Sequence, residues 1–331
     1  MSDTTNTPSI TDRVRPVKAG APVVGVHFLG PKPVFVLGEE ALLFAPDSGD
    51  IRIPVHGGAI LCSASDGARI VTGGDDGRLV EVAAREPALL ATDAKKRWID
   101  QVALGPDGAV AWSAGKTAFV RPRKGDDKSV EAPSTVAGLA FAPKGFRLAI
   151  AHYNGVSLWF ANAQAAPEKL EWKGSHLAVA FSPDGRFVVT AMQESTMHGW
   201  RLADGKHMRM SGYSARVRSF GWTADGAYLA TSGSEQLILW PFDGKDGPMG
   251  KQPLMLAPAA SRVAMVACHP RQPVIATGFN DGIVLLVRVE DGAEILVRGK
   301  GGAPVTALGW DEAGAQLAFG TDDGEAGVVS L

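Results

Sequence analysis

Two stretches of this 331-residue chain decide its fold: AVAFSPDGRFVVTAM, from Ala178 to Met192, and SFGWTADGAYLATSG, from Ser219 to Gly233. In each, a short apolar run leads into an Asp-Gly turn, and a second apolar run ends in small residues. Apolar alternation on both sides of a tight Gly/Asp turn is typical of two antiparallel strands. Both stretches therefore predict a β-hairpin.

Six further copies of this hairpin occur along the chain, and their turn glycines recur about every 40 residues, a period that propeller blades share. Each copy continues into a third strand, such as GVSLWF from Gly155, and then into a weaker fourth strand. We therefore predict an all-β fold, a single closed β-propeller of eight four-stranded blades, with seven blades as the alternative. The six further copies begin at Val23 (the loosest), Leu61, Gln101, Ala137, Ala264 and Thr306.

The last copy reaches Leu331 after its third strand, whereas RVRPVKAG from Arg13 resembles a blade's final strand with no blade before it. Pairing the two would cover strand edges that otherwise invite aggregation. We expect the N-terminal strand to complete the last blade. Residues 1–12 are predicted to be a flexible tail, and residues 13–331 the propeller domain.

These repeats resemble those of the WD40-repeat β-propeller family, in a bacterial type with degenerate repeats. The resemblance is carried by the Ser182–Gly185 turn and by Trp159, Trp200 and Trp240 at the ends of third strands. It covers the chain after about residue 12 and implies a non-enzymatic scaffold for protein partners. That implication is an analogy from fold.

The chain departs from the family pattern at two places. Phe160, Arg201 and Pro241, not Asp, follow the third-strand Trp residues, and the Gly-His pair that usually precedes a blade is missing, although His56 and His176 lie nearby. The resemblance implies an Asp-His-Ser/Thr-Trp hydrogen-bond network within blades. We expect that network to be broken or incomplete here.

Composition excludes several classes of partner and location. Lys and Arg total 33 against 35 Asp and Glu, a net charge of -2, which argues against a nucleic-acid partner because such domains are usually basic. No run of about 18 apolar residues is present, so no membrane association is expected. Cys62 and Cys268 lie far apart, which fits a reducing compartment, and we predict a cytoplasmic protein.

Catalytic signatures such as GxSxG, HExxH or a P-loop are absent from the sequence, and the seven histidines lack ligand spacing. We therefore expect no enzyme activity, no cofactor and no metal. Two alternatives remain open. One is a propeller that binds a small molecule or metal in its central channel, with or without catalysis, and the other is a permanent subunit of a larger complex.

Strand alternation in a propeller places the turns between second and third strands on the same face as the loops that lead into each blade. We predict that this face docks one or more proteins or peptides, and that the protein is a monomeric propeller within a complex. Arg and aromatic side chains dominate interface hot spots, while Asp-Gly pairs at Asp76, Asp281 and Asp323 also suit tight turns alone. The candidate partner-binding residues are Arg97, Trp98, Arg216, Arg262, Tyr153, Asp75, Asp281 and Asp322.

Overall fold

A computed structural model describes residues 7–331. Within these residues the chain forms thirty β-strands, no α-helix, and two short 3-10 turns at Thr11–Arg13 and Pro106–Gly108. The strands, in chain order, are β1 Arg15–Lys18, β2 Val23–Leu29, β3 Lys32–Leu37, β4 Ala41–Phe44, β5 Ile51–Pro54, β6 Ile60–Ser65, β7 Arg69–Gly74, β8 Arg78–Ala83, β9 Glu86–Thr92, β10 Val102–Leu104, β11 Val110–Ala114, β12 Thr117–Arg121, β13 Lys128–Glu131, β14 Gly138–Phe141, β15 Arg147–Phe160, β16 Glu168–Phe181, β17 Phe187–Met192, β18 Met197–Arg201, β19 His207–Met210, β20 Phe220–Trp222, β21 Tyr228–Thr231, β22 Leu237–Pro241, β23 Leu254–Leu256, β24 Val263–Cys268, β25 Val274–Phe279, β26 Val284–Arg288, β27 Glu294–Arg298, β28 Val305–Trp310, β29 Gln316–Thr321 and β30 Glu325–Ser330.

The chain divides into two compact units. The first unit comprises Met1–Ile53 with Val217–Leu331, and the second comprises Pro54–Arg216. In the described part of the first unit, β2–β5, β20–β23 and β24–β27 form four-stranded antiparallel sheets, and β1 joins β28–β30 in a fourth. The second unit contains the β6–β9 sheet, the β10–β13 sheet and a six-stranded sheet of β14–β19. This is the strand arrangement of an all-β propeller.

The N-terminal strand does complete the last sheet, as the sequence predicts. β1 pairs antiparallel with β30, with Arg15 opposite Val328 and Lys18 opposite Glu325. The preceding segment also pairs, since the Ile10 N–H donates to the Leu296 carbonyl at 2.9 Å and the Leu296 N–H donates to the Pro8 carbonyl at 2.7 Å. The predicted flexible tail thus includes a segment bound to the edge of β27, and its residues 1–6 lie outside the described residues.

The expected eight blades are not confirmed, because residues 7–331 form seven sheets, the number of the alternative. The difference arises in the six-stranded sheet, where β15 and β16 are each 14 residues long. Residues 148–151 of β15 pair with β14, and residues 153–158 pair with the first half of β16. The second half of β16, residues 176–181, pairs with β17 instead. Two predicted hairpins are therefore merged into one continuous sheet.

The Asp-Gly turns form because their side chains satisfy the backbone of the turn. The Ser182 hydroxyl donates to Asp184 at 2.6 Å and accepts from the Phe187 N–H at 2.9 Å. Gly185 has a φ of 74°, a left-handed conformation that glycine adopts without steric cost. These hydrogen bonds within the turn fix the register of the two strands that it connects, β16 and β17.

The core lies between successive sheets of each unit and is built from second and third strands. β17 is buried along its whole length, and the third-strand residues Trp159, Trp200 and Trp240 are buried. First strands approach so closely that side chains are excluded at some positions. A β-carbon at Gly138 would lie 2.9 Å from the Ala178 Cα, which explains the small residues in these strands.

Candidate docking rims

Backbone hydrogen bonds join second-to-third-strand turns to the chain segments just before or just after the sheet. In the second unit the Ile99 N–H donates to the Gly74 carbonyl at 3.1 Å, and the Val136 N–H donates to the Gly115 carbonyl at 2.9 Å. The Gln193 N–H donates to the Ser175 carbonyl at 2.9 Å in the same way. These turns and loops form what we call the second-unit rim, made of residues 75–77, 93–99, 115–116, 132–136, 153–154, 173–175, 193–194 and 211–216.

Arg97 and Trp98 lie on the most tightly fixed loop of this rim. The Arg97 guanidinium is bound to Asp93, with Nη2 at 2.7 Å from Oδ1. That hydrogen bond holds the pKa of the Asp93 carboxyl below its usual range. Trp98 is left 62% exposed, which is unusual for so large an apolar side chain. Arg97 is therefore partly used within its own loop, whereas the Trp98 ring is available to a partner.

Tyr153 lies further along the same rim and is also exposed, at 54%. Its N–H donates to the Ser134 hydroxyl at 2.8 Å, which fixes the turn against the loop before β14. The neighbouring Asn154 has a φ of 70°, and its side-chain oxygen accepts from the Gly174 N–H at 3.2 Å. The backbone beneath the exposed phenol ring is thus held by side-chain hydrogen bonds.

Arg216 and Asp75 complete the predicted set in the second unit. The Arg216 Nη1 donates to the Gln193 side-chain oxygen at 2.9 Å, so Arg216 lies over the β17–β18 turn. Asp75 is half-buried, and its carboxylate lies against Gly58. The structure therefore places all five second-unit candidates on one rim, where they are joined through successive turns and loops.

The other three candidates lie on the corresponding rim of the first unit, which we call the first-unit rim. Arg262 is exposed, and its carbonyl accepts from the Asn280 N–H at 3.0 Å, beside Asp281. The Asp281 carbonyl accepts from the Gly301 N–H at 3.2 Å, and the Asp322 N–H donates to the Pro304 carbonyl at 3.1 Å. The first-unit rim thus comprises residues 233–235, 262–263, 280–282, 299–304 and 322–324. Arg262, Asp281 and Asp322 follow one another along it.

Ion pairs already engage part of the acidic side chains in the first unit. Lys300 lies 3.8 Å from Asp281, while Arg298 donates to Glu325 at 2.5 Å. Asp322 is exposed. The Thr321 hydroxyl donates to Asp323 at 2.6 Å and so assigns that aspartate to its own turn, the role that Asp-Gly chemistry predicted.

One polar network that sequence reasoning missed lies under the second-unit rim. His56 shares hydrogen bonds with Asp76 at 3.0 Å through Nδ1 and with Thr72 at 2.9 Å through Nε2. Because a carboxylate only accepts, His56 Nδ1 donates to Asp76. Asp76 also accepts from the Gly57 N–H at 3.0 Å. Three members of the expected network are therefore present in this sheet, and Val82, opposite Ile70, lies where other repeats carry Trp.

A second buried cluster lies in the β16–β19 part of the six-stranded sheet. The His198 ring is stacked on Trp172, with ring centroids 4.1 Å apart, and lies edge-on to Trp200 at 4.7 Å. Both of its ring nitrogens are buried without a hydrogen-bond partner. Burial, with smaller contributions from His207, His176 and Arg209, lowers the pKa of His198 to about 3. The ring is therefore neutral at ordinary pH and behaves as an aromatic packing group.

Neither cysteine is suited to thiolate chemistry. Burial raises the pKa of Cys62 and of Cys268 to about 12. Within residues 7–331, no group of three or more His, Cys, Asp or Glu side chains has an arrangement that could hold a metal ion. The same residues include no helix with the length and apolar character that crossing a membrane requires.

Comparison with known proteins supports the fold more than it does any activity. No protein-family model matches the chain. The protein described as "Cell division cycle 20.1, cofactor of APC complex" from Arabidopsis thaliana is 32% identical over 97 residues, which cover 28% of this chain and 21% of that protein. The match thus spans about a fifth of the relative's length.

A solved structure extends the likeness along the chain. The crystal structure of the computationally designed Ika8 protein has a TM-score of 0.76 and 17% sequence identity, and it covers 95% of this chain and 98% of that one. At this identity the likeness shows the fold alone. Together with the seven sheets, this likeness supports an all-β propeller fold.

Proposed function

We propose that this protein is a non-enzymatic interaction scaffold whose two rims dock protein or peptide partners. The observation that carries the proposal is the exposure of Trp98 and Tyr153 on a rim whose backbone is fixed by hydrogen bonds. Large exposed aromatic side chains on a preorganised surface lose little conformational freedom on binding and bury much apolar area. The Arabidopsis relative is described as a cofactor of a complex, which agrees with a role through association.

The proposal has several finer parts. We propose that the six-stranded sheet holds two repeats, since its strand pairing changes partner within both β15 and β16, which would restore eight blades. The domain would span residues 13–331 of a cytoplasmic, bacterial-type protein with degenerate repeats. It would act as a monomeric propeller within a complex, without binding nucleic acid or membrane.

The test is affinity capture of the tagged full chain from its native host, with mass spectrometry of the proteins that co-purify. Arg97→Ala/Trp98→Ala/Arg216→Ala removes three second-unit candidates at once. The matched control is Arg123→Ala/Phe160→Ala/Arg209→Ala, which likewise removes two arginines and one exposed aromatic ring, but away from the rim. We expect partners that the native chain and the control retain and that the rim variant loses.

Urea denaturation of all three proteins checks that each variant is folded. If the same proteins co-purify with every variant, or if none does with the native chain, docking on the second-unit rim is wrong. Arg262→Ala/Asp281→Ala/Asp322→Ala then tests the first-unit rim in the same assay.

A further inference from the structure

We propose that the second-unit rim binds an acidic peptide segment with a large apolar side chain. Lys95, Lys96 and Lys116 would contact its carboxylates, and Trp98 would contact the apolar group. This inference rests on the proposed scaffold function and deepens it by naming the chemistry of the partner.

The exposed charged side chains near Trp98 are mostly lysines. Lys95, Lys96 and Lys116 are exposed, and within residues 7–331 no carboxylate lies within ion-pair distance of their ammonium groups. Two nearby acids are already engaged: Asp93 by Arg97, and Asp76 by the His56 ring and backbone N–H groups. Asp100 accepts from the Ser113 hydroxyl at 3.1 Å and Asp75 is half-buried, so Glu131 is the exposed acid in this region. The exposed charge that a ligand would meet in this part of the rim is therefore mostly positive, which suits an acidic ligand.

The lysines and the aromatic side chains belong to adjoining segments. A β-carbon at Gly115 would lie 3.8 Å from the Arg97 Nη1, so the turn that carries Lys116 adjoins the Arg97–Trp98 loop. The Ala132 N–H donates to the Lys116 carbonyl at 2.9 Å, and this joins the turn to the loop that leads towards Tyr153. An extended peptide lying along this path would meet Trp98, Lys116 and Tyr153 in order.

The Trp98 loop is held in one conformation before any ligand arrives. The Asp93 N–H donates to the Gly77 carbonyl at 2.8 Å, and the Lys96 N–H donates to the Asp93 carbonyl at 2.9 Å. The Asp93 carboxylate accepts from the backbone N–H groups of Lys95 and Arg97 at 3.0 and 2.9 Å. A partner thus meets a Trp side chain on a loop whose backbone is already fixed by hydrogen bonds, which lowers the entropic cost of binding.

A peptide suits this surface better than a nucleic acid does. Binding of a phosphate backbone depends on neutralising many evenly spaced charges, whereas here Asp75 and Glu131 interrupt the lysines and the whole chain carries a net charge of -2. Carboxylates on a peptide can be spaced to avoid those two acids. A single apolar residue among them would cover Trp98.

The experiment measures fluorescence anisotropy of a labelled peptide of alternating Glu and Phe residues with the full chain, at low and high salt. Its counterpart with Lys in place of Glu and a labelled oligothymidylate serve as competing probes. We expect the Glu peptide to bind, to weaken with salt, and to bind roughly tenfold less tightly to Lys95→Ala/Lys96→Ala/Lys116→Ala, about 1.4 kcal/mol. Trp98→Ala should weaken it at least as much.

Lys124→Ala/Lys144→Ala/Lys206→Ala is the matched control, because it removes the same charge from exposed lysines of the second unit that lie off the rim. Equal binding of the Glu and Lys peptides, equal weakening by the control, or preference for the oligothymidylate would overturn the inference. If the Glu peptide fails to bind while the capture experiment still shows rim-dependent partners, the acidic chemistry is wrong and the scaffold function stands. If both experiments fail, both proposals are wrong.

Discussion

The β6–β9 sheet and the β16–β19 part of the six-stranded sheet anchor an equivalent histidine in different ways. In the first, His56 is bonded to Thr72 and to the carboxylate of Asp76. In the second, His176 accepts from the Thr190 hydroxyl at 2.8 Å and donates to the Trp172 carbonyl at 3.0 Å.

The residues at the matching positions explain this difference. Glu194 stands four residues after Thr190, as Asp76 stands four after Thr72, but its carboxylate accepts from the Ser175 N–H at 3.2 Å. Trp200 lies opposite Val188 in the second sheet, whereas Val82 occupies the matching position in the first. The sheet with the aspartate lacks the Trp, and the sheet with the Trp lacks the aspartate. Hydrogen bonding to a charge and aromatic packing are thus alternative ways to hold the same pair of strands.

The largest loss of stability should come from removing Trp200, whose aromatic ring packs the β16–β19 part of the six-stranded sheet. Trp200→Ala leaves a cavity among Val179, Phe181 and Val188, so we expect it to lower the free energy of unfolding by about 3–5 kcal/mol. Urea denaturation measures this loss. Trp98→Ala, which removes an exposed ring, should change the unfolding free energy by less than about 0.5 kcal/mol. Similar losses in both variants would show that Trp200 does not carry the packing of its sheet.

A smaller loss should follow from weakening the hydrogen-bonded side. Asp76→Asn keeps the shape of the side chain but removes the charge that accepts from His56 and Gly57. Because hydrogen bonds to charged groups contribute about 1.5–3 kcal/mol each, we expect a loss at the lower end of that range. Asp75→Asn, at the adjacent position, is the control and should be close to neutral. A neutral Asp76→Asn would mean that the network does not stabilise the β6–β9 sheet.

The smallest effect at neutral pH, and a distinct one in acid, is expected at His198. Burial lowers its pKa from 6.5 to about 3. Above pH 6.5 the ring is neutral in both states. As the pH falls below 6.5, His198 is protonated in the unfolded chain but stays neutral in the folded protein. The free energy of unfolding therefore decreases until about pH 3. His27, whose pKa burial lowers to about 4, acts in the same direction.

His198→Phe should therefore flatten this decline without abolishing it. The Phe ring can stack on Trp172 and loses no hydrogen bond, since neither nitrogen of His198 has a partner. Denaturation curves at pH 7.5 and pH 5 measure the difference between the two proteins. An unchanged pH dependence in the variant would assign the acid sensitivity to other groups.

The strands could be predicted because local signals specify them, and the pairing of β1 with β30 because each strand lacked a neighbour in the sequence pattern. Asp-Gly turns such as Asp184–Gly185 specify hairpins, and a lone strand near Arg15 needs a partner. The merging of two hairpins into one sheet could not be predicted. It depends on the pairing of Tyr153 with Ser175, and no local sequence pattern encodes that pairing. The His56–Asp76 bond was missed because the two residues are 20 positions apart. A histidine just before a first strand, with Thr and Asp flanking the next turn, is the signal that could have found it.

The sequence could predict where the candidate partner-binding residues lie, but not whether they bind a partner. Strand alternation predicts that Trp98 and Tyr153 lie on one side of their sheets, and hydrogen bonds in the structure place both on one rim. Whether they bind a partner depends on a molecule that the sequence does not contain, and their role stays a prediction. The engagement of Arg97 by Asp93 could not be foreseen from the composition of the loop, since Lys95 and Lys96 were equally available to that carboxylate.

The pairing of Arg15 with Val328 joins two strands that are synthesised far apart in time. Among the described strands, β1 at residues 15–18 is synthesised first, and its partner β30 is completed about 310 residues later. At roughly 5–20 residues per second, the first strand waits about 15 to 60 seconds for β30. During that interval its backbone groups have no native partner in the sheet that they will complete. β1 is thus synthesised long before its partner, and residues 15–18 are open to non-native pairing until β30 is made.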